Sequence, residues 1–396
     1  CQPWSEIETP WDFGHELLEP NLERISPSLE VGFKHFPPLE NAGIKQIING
    51  PFTFAPDGNP LVGPIPGMTN FWSACAVMAG FSQGGGVGLV LSNWIINGDP
   101  GYDIWGMDVA RFGDFATLRY TNAKVRENYS RRFRISFPNE ELEAGRPHQT
   151  TPIYELLKSQ NAVMGNSWGL EVPLWFAPQD SEAIDILSFK RSNDFEHVGK
   201  EVNSVRKSIG VTEISNFAKY KVTGLDAETW LSSLITNHMP KTGRIILTPM
   251  LNEFGKVIGD FTIGKMDINT FYIWGSQNAQ KHHMRWFKNN LHKTLSVDIA
   301  CIDQGLCGLS IAGPKSRDVL NALVKDGDSS TVLSNKRFPW LTMRNIELGM
   351  CPVRAIRVAY TGELGWELHH PIEMQNYLWD QIVTAGEPHG LKLVGA

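Results

Sequence analysis

The sequence lacks the features of several common classes of protein. No run of about 18 or more apolar residues occurs, so no membrane-spanning helix is predicted. The net charge is −6 and no basic stripe is present, which argues against nucleic acid as the main partner. The chain also contains no P-loop, no HExxH motif and no Ser-His-Asp arrangement, so the motifs of these catalytic classes are missing.

Cysteine is scarce as well. The five cysteines form no CxxC pair and leave an odd one over: Cys1, Cys75, Cys301, Cys307 and Cys351. This pattern favours a reducing compartment over a disulfide scaffold or a zinc site. No N-terminal signal pattern is visible, but the chain begins with Cys rather than Met. We therefore expect the true N-terminus, with any targeting information, to lie upstream.

Histidine offers no clear metal site either. The two adjacent pairs, His282-His283 and His369-His370, point in different directions in a helix or a strand and make poor chelates. We predict surface or packing roles for them and no bound metal.

The chain is long enough, at 396 residues with 42% hydrophobic content, for two or three globular domains. Residues 43–110 contain short apolar segments and glycine-rich turns, with a predicted strand at 44–48 and a turn at 54–60. Residues 108–150 are polar and predict a connecting segment with one or two helices. From about residue 150 onward the pattern is α+β.

A glycine-rich segment, residues 80–88, precedes the apolar residues 89–96 of a predicted helix. Glycines that open a helix permit close approach to the backbone and turn N–H groups toward an anionic or carbonyl-rich ligand. Helix–sheet packing that requires small residues is the alternative, and the spacing alone favours it.

A weak internal repeat marks the α+β part of the chain. Residues 221–234 and 310–323 each predict a strand, then a glycine (Gly224 or Gly313), then an amphipathic helix. A further helix is predicted over 372–385. The duplication suggests two similar subdomains packed around a central site.

A candidate binding site lies near the C-terminus. The alternation around Ile356 and Val358 predicts two strands joined by a short turn. The turn would bring Tyr360 and Glu367 side by side, where a phenol and a carboxylate can read the donors and acceptors of a flat heterocycle. An exposed polar hairpin tip is the alternative.

Asp260 is a second candidate, in a strand predicted over 257–263. It shares a face with Ile258 and Thr262, although Asp is disfavoured inside strands because burial removes its hydration. A charge at such a position usually has a partner or a function. An exposed Asp on an edge strand is the alternative.

Taken together and in this order, the segments resemble the folate-linked dimethylglycine and sarcosine dehydrogenases. These enzymes couple an amine-oxidising flavin domain to a tetrahydrofolate domain like the glycine-cleavage T-protein. Residues 49–63 resemble a late strand segment of the flavin domain, and residues 80–88 resemble the stretch beside the isoalloxazine ring. Residues 108–147 resemble the linker domain, while 151–154 and 168–173 resemble the opening of the folate domain.

The resemblance implies an α+β fold in three parts. These are the C-terminal part of a DAO-type flavin domain at 1–107, a linker domain at 108–147, and an aminomethyltransferase-like folate-binding domain at 148–396. The family's GxGxxG dinucleotide-binding fold would precede residue 1, and its Arg-containing folate helix would follow residue 396. We therefore expect the chain to be an internal fragment of a longer protein.

The resemblance also assigns roles to individual residues. Asp260 matches the catalytic aspartate of the folate domain, and Tyr360 and Glu367 match the residues that hold the pteridine. Residues 213–217 depart from the Asp-Val-Ser-His-Met pattern of the T-protein, and Ser276 lies near the position of a folate-contacting Asn. The implied FAD-binding residues are Gly80, Phe81, Ser82, Gln83 and Gly84.

The implied activity is FAD-dependent oxidative demethylation of an N-methylated amino acid, such as dimethylglycine or sarcosine, with transfer of the one-carbon unit to tetrahydrofolate. The electron acceptor would be an electron-transfer flavoprotein or oxygen. The expected compartment is the cytoplasm for a bacterial protein and the mitochondrial matrix for a eukaryotic one. The alternatives are a stand-alone tetrahydrofolate-dependent aminomethyltransferase and a noncatalytic folate-binding module.

Overall fold

The structure, a computed structural model, describes residues 10–14, 16–325 and 332–396. Cys1 lies outside the described residues. The chain divides into two compact units. The first comprises the described residues up to Pro64 with Thr69–Asp108 and Thr121–Phe133, and the second comprises Ile65–Met68, Val109–Tyr120 and the described residues from Arg134 onward.

The α-helices of the described residues are α1 (Leu22–His35), α2 (Gly80–Asn97), α3 (Leu118–Ser130), α4 (Tyr154–Ser159), α5 (Phe195–Lys207), α6 (Ala227–Leu234), α7 (Gln280–Asn289), α8 (Ser316–Leu323) and α9 (Gln375–Gly386). The strands are β1 (Leu61–Pro64), β2 (Trp72–Cys75), β3 (Ala162–Ser167), β4 (Leu170–Phe176), β5 (Gly210–Glu213), β6 (Phe217–Thr223), β7 (Ile245–Leu251), β8 (Val257–Lys265), β9 (Thr270–Ser276), β10 (Asp298–Cys301), β11 (Leu306–Ala312), β12 (Met343–Leu348), β13 (Cys351–Ile356), β14 (Gly365–Pro371) and β15 (Lys392–Leu393).

In the first unit, helix α2 packs on the antiparallel pair β1–β2. Val62 of β1 and Val90 and Trp94 of α2 belong to one buried apolar cluster. Gly63 has a φ of +117°, and a Cβ there would lie 2.6 Å from the Trp94 ring, so this position requires glycine. The strand predicted at 44–48 is wrong: these residues form no regular element.

The second unit contains two large sheets. One has the strand order β10-β6-β9-β8-β7 and the other β12-β13-β14-β11-β5-β15. All recorded pairs in them are antiparallel except β15 with β5. Strands β3 and β4 form a separate antiparallel pair.

Strand β9 explains how the sheets are layered. Its sequence is almost entirely apolar or aromatic, as a strand that is buried on both faces requires. Phe271 and Ile273 belong to the core that contains residues of α6 and α7. Tyr272 and Trp274 alternate with them and pack with Met343 and Ile356 of the second sheet. The opposite face of the second sheet is covered by α8 and α9.

The predicted internal repeat is confirmed. Strand β6 leads through Gly224 into α6, and β11 leads through Gly313 into α8. Both glycines have φ values above +120° that other residues rarely adopt, and a Cβ at either one would collide with backbone atoms, including a carbonyl oxygen. Leu231 and Leu320 occupy equivalent buried positions in the two helices.

Candidate functional site

Asp260 lies in β8, as predicted, but its side chain is exposed rather than buried, which agrees with the alternative of an exposed Asp. It pairs with Pro249 of β7, whereas the recorded pairing with β9 begins only at Thr262. Asp260 shares its strand face with Thr262, which is in register with Trp274. Its carboxylate has no hydrogen-bond or ion-pair partner within the described residues, so it is available to a ligand.

A buried histidine packs behind the strand that carries Asp260. A Cβ at Gly259 would lie 2.6 Å from Nε2 of His283, so the absence of a side chain there makes room for the imidazole. The Tyr220 hydroxyl lies 3.2 Å from His283 Nδ1. The Phe261 ring and the His283 imidazole pack edge to face, with 4.6 Å between the ring centres. Burial lowers the pKa of His283 to about 3, which keeps the ring neutral.

Glu367 lies in β14, in register with Ile356 of β13 and Ser310 of β11. Its side chain is 21% exposed, so one part of the carboxylate is within reach of a ligand. The nearest recorded titratable neighbour is His369, whose Nε2 lies 3.6 Å from Glu367 Oε2.

The faces of the two sheets that carry Asp260 and Glu367 contact each other. The rings of Trp274 and His369 lie 5.0 Å apart, and the Arg354 guanidinium lies 3.5 Å from the centre of the Tyr272 ring. Trp274 Nε1 and both ring nitrogens of His369 are buried without a recorded hydrogen-bond partner. This buried layer therefore combines aromatic rings with polar atoms that have no recorded hydrogen-bond partner.

The structure corrects the prediction for Tyr360. Strand β13 ends at Ile356 and β14 begins at Gly365, so Tyr360 lies in the connecting loop rather than on a strand. Its side chain is fully exposed. The base of the loop is fixed by Arg357, which donates a hydrogen bond of 2.8 Å to Asn335. The loop is longer than the short turn predicted, and it does not place the phenol beside Glu367 as a cross-strand neighbour.

The sequence does not predict a buried lysine, Lys219, and its half-buried acidic neighbour Asp303. Lys219 is 1% exposed, and its Nζ donates to the carbonyl oxygens of Ser215 and Phe217 at 2.8 and 3.0 Å. The backbone N–H of Lys219 and the side chain of Gln280 both donate to the Asp303 carboxylate. Burial lowers the pKa of Lys219 and raises that of Asp303, while the attraction between the two charges opposes both shifts.

Residues 213–217, which depart from the T-protein pattern, are part of this buried network. Glu213 is buried and accepts hydrogen bonds from Ser215 at 2.9 Å and from Gln375 at 2.7 Å. Burial raises the pKa of Glu213. No sequence signal sets Lys219 apart, because it shares its strand face with Lys221 and Thr223. Asp303 and Gln280 are moreover distant from it in sequence.

The predicted FAD-binding residues lie in α2 of the first unit. The helix begins at Gly80, so the glycines form its first turns rather than a loop before it. Phe81 is fully exposed. A Cβ on any of five glycines would meet no atom within 4 Å: Gly80, Gly84, Gly85, Gly86 and Gly88. Packing within the described chain therefore does not explain these glycines, which weakens the helix–sheet alternative.

Three members of the two adjacent histidine pairs are buried: His283, His369 and His370. The described residues contain no group of His, Cys, Asp and Glu side chains arranged to hold a metal ion. Within the same ranges, no helix has the length and apolar character needed to cross a membrane.

Two protein-family models match the chain. The GCVT N-terminal domain matches residues 153–396, and the FAD dependent oxidoreductase central domain matches residues 97–151. The chain is 36% identical over 390 residues to dimethylglycine dehydrogenase, mitochondrial, of Mus musculus. The alignment covers 98% of this chain and 44% of that protein. It is also 29% identical over 436 residues to sarcosine dehydrogenase, mitochondrial, of the same organism. That alignment covers 99% of this chain and 46% of that protein.

A solved structure is similar in fold to this chain. The glycine cleavage system aminomethyltransferase T from Bartonella henselae aligns with a TM-score of 0.50 and 19% identity, covering 62% of this chain and 59% of that chain. The α+β fold class and the family resemblance are confirmed. The chain spans less than half the length of the two mouse enzymes.

Proposed function

Because this chain belongs to the GCVT N-terminal domain family, and matches the FAD dependent oxidoreductase central domain as well, we propose that it is part of a demethylating flavoenzyme. The complete protein oxidises an N-methylated amino acid with FAD and transfers the one-carbon unit to tetrahydrofolate. The observation that carries this proposal is the presence of both domain types in one chain. Over 98% of its own length, this chain is 36% identical to a dimethylglycine dehydrogenase.

In the folate-type domain, Asp260 accepts a proton from the attacking amine of tetrahydrofolate. Its exposed, unpartnered carboxylate suits this role, because no protein group competes for it. Glu367 accepts hydrogen bonds from the N–H edge of the pterin. Tyr360, on the exposed loop, orients the ring by folding over it.

In the first unit, the exposed glycine face of α2 fits a flat cofactor that approaches the helix closely. A glycine inside a helix costs roughly 1 kcal/mol relative to alanine, so several of them without packing contacts need another reason. Residues Gly80 to Gly84 would hold FAD there. Bound FAD supplies the hydride acceptor for oxidation of the N-methyl carbon.

The proposal extends to the organisation and partners of the protein. Flavin-type, linker and folate-type domains are assigned to 1–107, 108–147 and 148–396. The substrate is an N-methylated amine, and the electron acceptor is an electron-transfer flavoprotein or oxygen. A mitochondrial location is supported by the names of both mouse enzymes.

The role of Asp260 is tested by replacing it in the complete protein. Asp260→Ala should leave flavin reduction by the amine intact but shift the product from methylenetetrahydrofolate to free formaldehyde. Loss of a general base typically costs about 10²–10⁴-fold in the step that it serves. Asp267→Ala, at another Asp of the same domain, is the matched control. An unchanged ratio of the two products in Asp260→Ala would exclude this role.

A further inference from the structure

His369 has an unusual environment for a buried histidine. It is 1% exposed, and neither ring nitrogen has a hydrogen-bond partner in the described structure. Its neighbour His370 is equally buried but points to the opposite face of β14, where its Nδ1 lies 2.9 Å from the Leu368 carbonyl oxygen. Buried polar atoms are usually paired, so the unpaired nitrogens of His369 require an explanation.

The packing around His369 fixes the plane of its ring. The imidazole lies against the Trp274 indole at 5.0 Å with an interplanar angle of 31°. On the neighbouring strand, a Cβ at Gly308 would lie 3.2 Å from His369 Nδ1, so glycine provides the space for the ring. Thus held, the imidazole has little freedom to turn toward another partner.

Glu367 is the acidic group closest to this fixed ring, with 3.6 Å between Oε2 and Nε2. That separation is longer than a hydrogen bond. The Glu367 side chain is partly exposed and has no other recorded hydrogen bond or ion pair, so a small side-chain rotation would close the gap. Burial lowers the pKa of His369, so the ring is neutral near pH 7 and carries one N–H.

We propose that His369 is a positioning residue that donates its Nε2–H to Glu367 when a pterin binds. The proposal rests on the proposed role of Glu367 in holding the pterin. The fixed ring holds one carboxylate oxygen, and the other oxygen faces the ligand. Because the donor is neutral, Glu367 keeps its full negative charge for the N–H groups of the pterin edge. A lysine or arginine at this position would neutralise that charge.

The test uses three substitutions of His369 in the complete protein, with tetrahydrofolate binding measured by titration calorimetry. The amide nitrogen of glutamine occupies the position of Nε2, whereas that of asparagine occupies the position of Nδ1. His369→Gln should bind tetrahydrofolate within about threefold of the unchanged protein. His369→Leu and His369→Asn should bind about tenfold more weakly, which is the typical effect of one lost hydrogen bond to a charged group.

Two controls separate the possible failures. His370→Gln alters an equally buried histidine on the other face and should leave tetrahydrofolate affinity unchanged, while thermal unfolding reports the folded state of every variant. Glu367→Gln should weaken binding. If it does not, the proposed role of Glu367 is wrong. If Glu367→Gln weakens binding but His369→Leu and His369→Gln have equal affinities, the positioning role of His369 is wrong.

Discussion

Asp260 and Glu367 lie on strands of different sheets, and each has a buried histidine near it. The packing differs in the two cases: His283 supports the β8 strand from behind, whereas His369 shares the strand face of Glu367. Both histidines have lowered pKa values because they are buried. Neither imidazole is therefore positively charged at neutral pH, so neither one neutralises the carboxylate near it.

The buried histidines make stability depend on pH. His283 has a pKa of about 3 in the folded protein, and an unfolded histidine has a pKa of about 6.5. Between these values the unfolded state binds a proton that the folded state does not. The free energy of unfolding should therefore fall by about 1.4 kcal/mol per pH unit for this residue as the pH drops below 6.5.

Denaturant unfolding at a series of pH values between about 4 and 7 measures this slope. His283→Gln should be less stable at neutral pH, because a buried hydrogen bond is altered, but its stability should fall less steeply with acid. His238→Gln, at an exposed histidine, is the matched control. Identical slopes for His283→Gln and the unchanged protein would contradict the prediction.

Some site residues are predictable from sequence and others are not. Asp260 and Glu367 lie on strands as their local alternation indicates. The alternation that continues past Ile356 predicts a strand position for Tyr360, but the strand ends at Ile356 and Tyr360 lies in the loop that follows. The Asp303 carboxylate accepts a hydrogen bond from the backbone N–H of Lys219 across 84 residues of chain, a contact that only the tertiary fold reveals.

At the scale of elements, the repeated strand–glycine–helix unit depends on two backbone turns. Gly224 has a φ of +134°, and a Cβ there would collide with the backbone of Ser296. Gly224→Ala should therefore lower the free energy of unfolding by about 2–4 kcal/mol. Gly255 is the matched control, because it also has a positive φ, +73°, but a Cβ there would meet nothing within 4 Å.

Gly255→Ala should cost only about 1 kcal/mol, the price of the backbone conformation alone. Denaturant unfolding of both variants gives the comparison. Equal losses would show that close packing behind Gly224 does not contribute to the stability of the repeat unit.

The glycines of α2 give a second prediction at this scale. Gly84→Leu in the complete protein should improve the helix propensity but reduce flavin retention about tenfold, because the side chain would occupy the space of the cofactor. Gly32→Leu, at a glycine of α1 that also has open space around it, is the control. The ratio of flavin absorbance to protein absorbance in the purified protein measures the effect. Equal flavin content in both variants would contradict the assignment.

Elements were predicted best where the local pattern and the tertiary environment agree. The glycines and the apolar spacing predict the repeat units and α9, and the structure contains these elements at the predicted places. The predicted strand at 44–48 is absent from the structure. Ile44 and Ile48 are 65% and 68% exposed. Two apolar residues can suggest a strand, but a strand requires a partner, and none of the described strands pairs with this segment.

At the scale of the whole molecule, the proposed function joins two chemistries in one protein. Oxidation of an N-methyl group leaves a reactive one-carbon unit that water converts to formaldehyde, so a tetrahydrofolate domain on the same chain gives that carbon an acceptor before it is lost. In the proposed function, the exposed glycines of α2 serve the oxidation, and the carboxylates Asp260 and Glu367 serve the transfer to tetrahydrofolate. The proposed function requires the two chemistries to be coupled.

The most direct measurement follows an isotopically labelled N-methyl carbon through the complete protein. With an N-methylated amino acid substrate, an electron acceptor and tetrahydrofolate, the labelled carbon should appear in methylenetetrahydrofolate even when a formaldehyde trap is present. Without tetrahydrofolate it should appear as formaldehyde. Capture of all labelled carbon by the trap, whether or not tetrahydrofolate is present, would contradict the account.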